Sequence, residues 1–118
     1  MTPRVSIIVP VYGSEAFLPE CIASLRAQTL KDLEIIFVCD ASPDQSLALL
    51  RAAQREDARV RVIAFSENRG VSAARNAGID AAKGEYIGFC DGDDWAEPQM
   101  YERLLQAAQG AGADLSFC

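Results

Sequence analysis

The chain contains no histidine. That removes the commonest general base and the commonest transition-metal ligand. The cysteines, Cys21, Cys39, Cys90 and Cys118, show no zinc spacing, so a metal here has to be a hard cation bound through oxygen. Three of them stand in apolar helix or strand contexts, where a thiol behaves as a small hydrophobe, and all are expected to be reduced. Positive charge is scarce too: 11 Lys and Arg against 17 Asp and Glu leave a net charge of −6. This argues against nucleic acid and against an anionic membrane surface, both of which call for a basic patch. No run approaches the ~18 apolar residues of a membrane span. The apolar stretch behind Arg4 is too short for a secretory signal, so the chain reads as cytoplasmic. Repeats and low-complexity segments are absent.

What is present is enough for one compact domain: 118 residues, 50% of them apolar. Val5 to Val11 is nearly all β-branched, as in a strand buried on both faces, and Pro10 is expected to end it. Leu18, Cys21, Ile22 and Leu25 then fall at helical spacing, which predicts a helix over 15–28 with Pro19 in its first turn. Leu33–Cys39 reads as a second buried strand. Leu47, Leu50 and Ala53 mark a second helix, ending near Asp57, and Val60–Phe65 a third strand. A third, Ala-rich helix runs to about Ala82, with Ala74, Gly78 and Ala81 on one face, small enough to lie close to a sheet. Lys83-Gly84 would close it with a cation and a stop. Glu85–Cys90 is the fourth strand. A fourth helix runs from Pro98 to about Ala108, with Met100, Leu104, Leu105 and Ala108 inward, and Ala113–Cys118 is a fifth strand.

This βαβαβαβαβ order predicts a mostly parallel sheet with helices on both faces. Ligands of such sheets bind beyond the carboxyl ends of the strands. That edge would collect Pro10-Val11-Tyr12, Cys39-Asp40, Phe65-Ser66 and the acidic run Asp91-Gly92-Asp93-Asp94. With the first strand between the second and fourth, Cys39 and Cys90 would sit about 9.5 Å apart, too far for a disulfide.

The acidic run reads in two ways. It is a solvated loop that caps the next helix, or it is a cation site: Asp91 and Asp93 flank the small Gly92, and a Mg²⁺ or Mn²⁺ carrying a diphosphate would neutralise them. Tyr12 is a shelf for a stacked base or a rim aromatic closing the core. Asp40 reads a base N–H or caps a turn. Arg69 and Arg75 face a diphosphate or form surface ion pairs. Asn68 and Gly70 serve the start of the third helix, and Ser72 and Asn76 share a face of it.

The stretches VSIIVPVYGSEAFLPECIASLRAQT, EIIFVCDASPDQS and ENRGVSAARNAGIDAAKGEYIGFCDGDDW, with Pro98 beyond them, cover nearly the whole chain. In their order and spacing they resemble the N-terminal half of the inverting family 2 glycosyltransferases. The resemblance implies a Rossmann-like GT-A fold and a nucleoside diphosphate sugar donor, a UDP-sugar by expectation. It assigns Pro10, Val11 and Tyr12 to the base, Asp40 to the base edge and Arg75 to the base and diphosphate. It places Asp91 near the ribose, beside Gly92, and makes Asp93, with Asp91, the ligand of Mn²⁺ or Mg²⁺. Two departures stand out. Cys39 and Ala41 replace an acid and a glycine that the family often carries around Asp40. The family's catalytic base and acceptor half lie well beyond the D-x-D stretch, and no such segment occurs before Cys118.

The whole chain, 1–118, therefore reads as a truncated donor-binding part with little or no activity of its own. The acceptor, whether glycan, lipid or protein, is not named by the residues. A sheet ending in an open strand would leave an edge for a homodimer. The alternative is a binding or assembly module that keeps the fold without turnover. A dinucleotide-dependent oxidoreductase is disfavoured because no G-x-G-x-x-G follows the first strand. A phosphate-accepting signalling domain would want acids where Pro10-Val11-Tyr12 stands.

Overall fold

The computed structural model describes residues 3–92 and 95–111, the last four by backbone alone. Its elements are β1 (Val5–Val11), α1 (Leu18–Arg26), β2 (Leu33–Cys39), α2 (Ser46–Glu56), β3 (Val60–Ala64), α3 (Val71–Ala81), β4 (Tyr86–Phe89) and α4 (Met100–Ala111). The expected fifth strand over Ala113–Cys118 lies outside the described residues. All described strand pairs are parallel, in the order β3-β2-β1-β4. The two strands that are buried almost throughout, β1 and β2, thus take the centre, where both faces of a strand are covered.

Alternation along those strands divides the core. Val5, Ile7, Val9 and Val11 of β1 and Leu33, Ile35, Phe37 and Cys39 of β2 face Leu18 and Leu25 of α1, Leu50 of α2, and Tyr101 and Leu105 of α4. Ile36 and Val38 point the other way, toward Ala74 of α3. Small residues let α3 lie close to that face: a Cβ built on Gly78 would collide with Cγ2 of the Ile8 side chain. β1 separates Cys39 from Cys90, and no disulfide joins them.

Four details differ from the sequence reading. β1 continues past Pro10, with Pro10 opposite Val38 and Val11 opposite Cys39. The Pro10 carbonyl accepts the Gly92 N–H at 3.3 Å, on the β4 side. A residue's N and C=O face the same neighbour in a parallel strand, so the missing N–H falls where the β4 ladder has already stopped, at Ile8 opposite Phe89. α1 is shorter than 15–28; it starts at Leu18, with Pro19 in its first turn as expected, and Gln28 lies outside it. Lys83 does not sit in the last turn of α3, which ends at Ala81. Its amide instead donates to Glu34, and Gly84 is needed for close approach, since a Cβ there would lie 2.6 Å from both N and Oγ of Ser6. In α4 the fully buried anchor is Tyr101, with Leu105 beside it, while Met100 and Leu104 are only partly buried.

At the amino ends of the strands a polar network is buried. Ser6 Oγ donates to Glu34 Oε2 at 2.6 Å, and Arg61 Nη1 bonds both Glu34 Oε1 at 2.9 Å and the Ala81 carbonyl at 2.8 Å. Burial pushes the Glu34 carboxyl up, but the Ser6 hydroxyl, the Lys83 amide and Arg61 together hold it below its ordinary value.

Candidate functional site

At the carboxyl edge a cavity of about 240 Å³ is lined by Pro10, Val11, Tyr12, Ser14, Asp40, Val71, Ala74, Asp91 and Gly92. Six of the seven residues read from the sequence as substrate-binding line it; the seventh, Arg75, stands beside it and faces Asp91. Asp93 lies outside the described residues. Ser72 and Asn76 do not line the cavity; Val71 and Ala74 of the same helix do. Ser14, Val71 and Ala74 carry no chemical signature; the packing of α3 across β1 and β2 places Val71 and Ala74, and the turn into α1, where the Ser14 carbonyl accepts the Phe17 and Leu18 amides, places Ser14.

Tyr12 is 55% exposed, directly after the last buried residue of β1. A ring held at its base and open on its face suits stacking of a flat group. Gly92 is buried against β1; a Cβ there would come within 3.2 Å of Val11 Cγ2 and 3.3 Å of the Pro10 carbonyl oxygen. A side chain at 92 would therefore crowd β1 where the cavity wall forms.

Asp40 is buried, and its carboxylate is committed. Oδ1 accepts the Arg69 amide at 2.7 Å; Oδ2 accepts the Gly70 amide at 2.9 Å and Asn68 Nδ2 at 3.1 Å. These donors lead directly into α3, whose first amides have no partner within the helix. Asp40 thus fastens the end of β2 to the segment that leads into α3. Gly70, at φ 94°, supplies a backbone turn that a side chain would resist. The two arginines divide: Arg69 stacks 4.5 Å above the Phe65 ring, beyond edge strand β3, while Arg75 Nη2 stands 3.6 Å from Asp91 Oδ1.

The loop with Tyr12 is tied down from β2. Gly13 N donates to Ser42 Oγ at 2.9 Å, and Glu15 N to Asp44 Oδ2 at 3.3 Å. The Ser42 hydroxyl first, with the Ser46 and Glu15 amides, holds the Asp44 carboxyl down to about 2. The segment after the acidic run is fastened to α1. Ser24 Oγ accepts the Ala96 amide at 3.0 Å, and Gln28 bridges the Glu97 carbonyl at 2.7 Å and the Tyr101 amide at 3.1 Å.

Among the described residues no group of three His, Cys, Asp or Glu could hold a metal ion by itself. A magnesium-like ion would take one or two carboxylates and complete its shell with phosphate oxygens and water. Asp91 is 52% exposed at the cavity edge, and its described side-chain partner is the long contact to Arg75, so it is available to such an ion.

Comparison with known proteins gives a consistent picture. The family model described as Glycosyl transferase family 2 matches residues 6–118. The "Uncharacterized glycosyltransferase EpsJ" of Bacillus subtilis (strain 168) is 50% identical over 118 residues, which is 100% of this chain and 34% of that protein. The chain thus spans about a third of the length of two of the curated relatives it matches, 34% and 33%, and less of some others. Among solved structures, S. aureus TarS 1-349 in complex with UDP-GlcNAc has a TM-score of 0.83 at 27% identity, covering 91% of this chain and 31% of that one. The mannosyltransferase PcManGT from Pyrobaculum calidifontis, in complex with GDP-Man and Mn²⁺, has a TM-score of 0.73 at 26% identity, covering 80% and 29%. These matches bear out the GT-A fold.

Proposed function

The chain belongs to glycosyl transferase family 2, and from that membership we propose that it holds a nucleoside diphosphate sugar, a UDP-sugar, for transfer with inversion to an acceptor hydroxyl. The observation that carries this is the convergence of Tyr12, Asp40, Asp91 and Gly92 on one cavity at the carboxyl edge. A volume of 240 Å³ is below the ~300 Å³ at which sites for whole small molecules begin, so it suits the nucleoside part. The diphosphate then extends over Asp91. TarS, whose structure holds UDP-GlcNAc, supports the uridine assignment; PcManGT, which holds GDP-Man, supports guanosine as the other outcome to test.

Each residue has a physical task in this reading. Tyr12 offers its face to the base. Asp40 shapes the floor through α3, and its remaining acceptor capacity meets a base N–H. Asp91, with Asp93, would hold Mn²⁺ or Mg²⁺, which when bound supplies charge stabilisation to the departing diphosphate. Asp93 enters from the D-x-D pattern alone. The two carboxylates that line the cavity are thereby occupied, Asp40 by amides and Asp91 by cations. The acceptor's base is accordingly proposed to come from elsewhere in a longer protein, beyond residue 118.

A thermal-shift panel of UDP, GDP, ADP and CDP, each with and without Mn²⁺, tests the assignment. The expected result is a shift with UDP that grows when Mn²⁺ is added. A shift with GDP alone would move the base assignment, and none with any nucleotide would overturn the reading.

A further inference from the structure

We propose that Arg75 is a placeholder cation and a positioning residue. Its guanidinium holds Asp91 while the site lacks donor, and gives up that carboxylate to the divalent ion when the diphosphate arrives. The inference rests on the cavity being a nucleotide-sugar site and adds how that site couples its two ligands.

Three observations carry it. First, the Nη2–Oδ1 distance of 3.6 Å is well beyond the 2.7–2.9 Å of a tight charge-assisted bond, and both side chains are roughly half exposed. A pair of that kind is easily exchanged. Second, Arg75 Nε is enclosed yet has no hydrogen-bond partner among the described residues. Enclosed N–H groups are rarely left so, and an incoming phosphate oxygen is the acceptor this one lacks. Third, the guanidinium lies 6.0 Å from the centre of the Phe89 ring, so it sits beside β4 at the base of the acidic run. Arg69, the other arginine of this segment, is turned to Phe65 instead.

The consequence is competition followed by cooperation. Without nucleotide, a divalent ion and the guanidinium repel each other and contend for one carboxylate. With nucleotide, the diphosphate offers oxygens to both. Metal and nucleotide then each raise the other's affinity, as a coupling between sites requires.

The test titrates Mn²⁺ into the intact protein, following the free-ion electron paramagnetic resonance signal, without and with UDP. Arg75→Gln is expected to tighten Mn²⁺ alone by about two- to fivefold, the size of a half-exposed ion pair. It is expected to weaken UDP in the presence of Mn²⁺ by about tenfold, the loss of a charge-assisted contact. Arg75→Lys, which keeps the charge, should leave Mn²⁺ affinity close to the original value and guards against a misfolded glutamine variant. In an Asp91→Asn background, Arg75→Gln should no longer change Mn²⁺ affinity. Unchanged or weaker Mn²⁺ binding in Arg75→Gln overturns the placeholder role. Tighter Mn²⁺ with no UDP binding by the unsubstituted protein would uphold the exchange at Asp91 and overturn the donor reading instead.

Discussion

Asp44 Oδ2 accepts the Glu15 amide at 3.3 Å, tying the loop after β2 to the loop that presents Tyr12. The other oxygen of the same carboxylate takes the Ser42 hydroxyl at 2.6 Å and the Ser46 amide at 3.0 Å, where α2 begins. One side chain therefore caps the first amide of α2 and holds the loop that presents Tyr12. Asp44→Ala should cost about 1 kcal/mol of stability, the usual effect of losing such a cap, and should weaken nucleotide binding by freeing Tyr12. The folded carboxyl is held down to about 2, below its ordinary 3.8. Its contribution is therefore complete above about pH 4 and is lost as pH falls toward 2. Urea titrations of both proteins at pH 7, 4 and 3 should show the difference between them narrowing in acid.

Ala41 follows Asp40 with φ at 55°, in the left-handed region. The glycine that the family often carries here has a backbone reason: an L-residue in this region costs about 1–2 kcal/mol. Glycine loses some of that advantage through the freedom it has when unfolded, about 0.5–1 kcal/mol. Ala41→Gly should thus stabilise the protein by about 0.5 kcal/mol, and Ala41→Val should destabilise it by more. Thermal melts decide the order, and a more stable valine variant would refute the strained turn.

Glu34 sits at the opposite edge, between Ser6, the Lys83 amide and Arg61. Glu34→Gln leaves those donors facing a weaker acceptor and an NH₂ group, at a cost of roughly 1–3 kcal/mol. The folded carboxyl lies below its ordinary 4.5, so the wild-type advantage is present above that pH and declines as pH drops through the folded value. Nucleotide affinity should not change, because the network lies at the amino ends of the strands. A matching loss of UDP binding would show that the two edges are coupled.

Much of this was legible in the residues, for physical reasons. The largely apolar, β-branched-rich runs of β1 and β2, too short for helices, read as central strands. The Ala74 and Gly78 spacing could only suit a helix pressed onto a sheet, and Gly78 does meet Ile8. What escaped depends on partners far away in the chain. Gln28 looked like the end of a helix, yet it is fully buried and caps α4 through the Tyr101 amide. Lys83 looked like a helix-end cation, yet its backbone is what Glu34 needs. Asp40 offered two roles on paper, and the three donors from Asn68 to Gly70 add a structural task that neither role foresaw. Local pattern names an element; contacts 28 to 73 residues apart decide what its polar groups do.

The most direct test of the donor site is calorimetric titration of UDP, with and without Mn²⁺, into the intact protein and its Tyr12→Ala and Asp91→Asn variants. The account predicts Mn²⁺-dependent binding that Tyr12→Ala weakens by about tenfold, the loss of one stacked base, and in which Asp91→Asn removes most of the Mn²⁺ dependence. Equal UDP affinity in all three proteins, with Mn²⁺ making no difference, would contradict it.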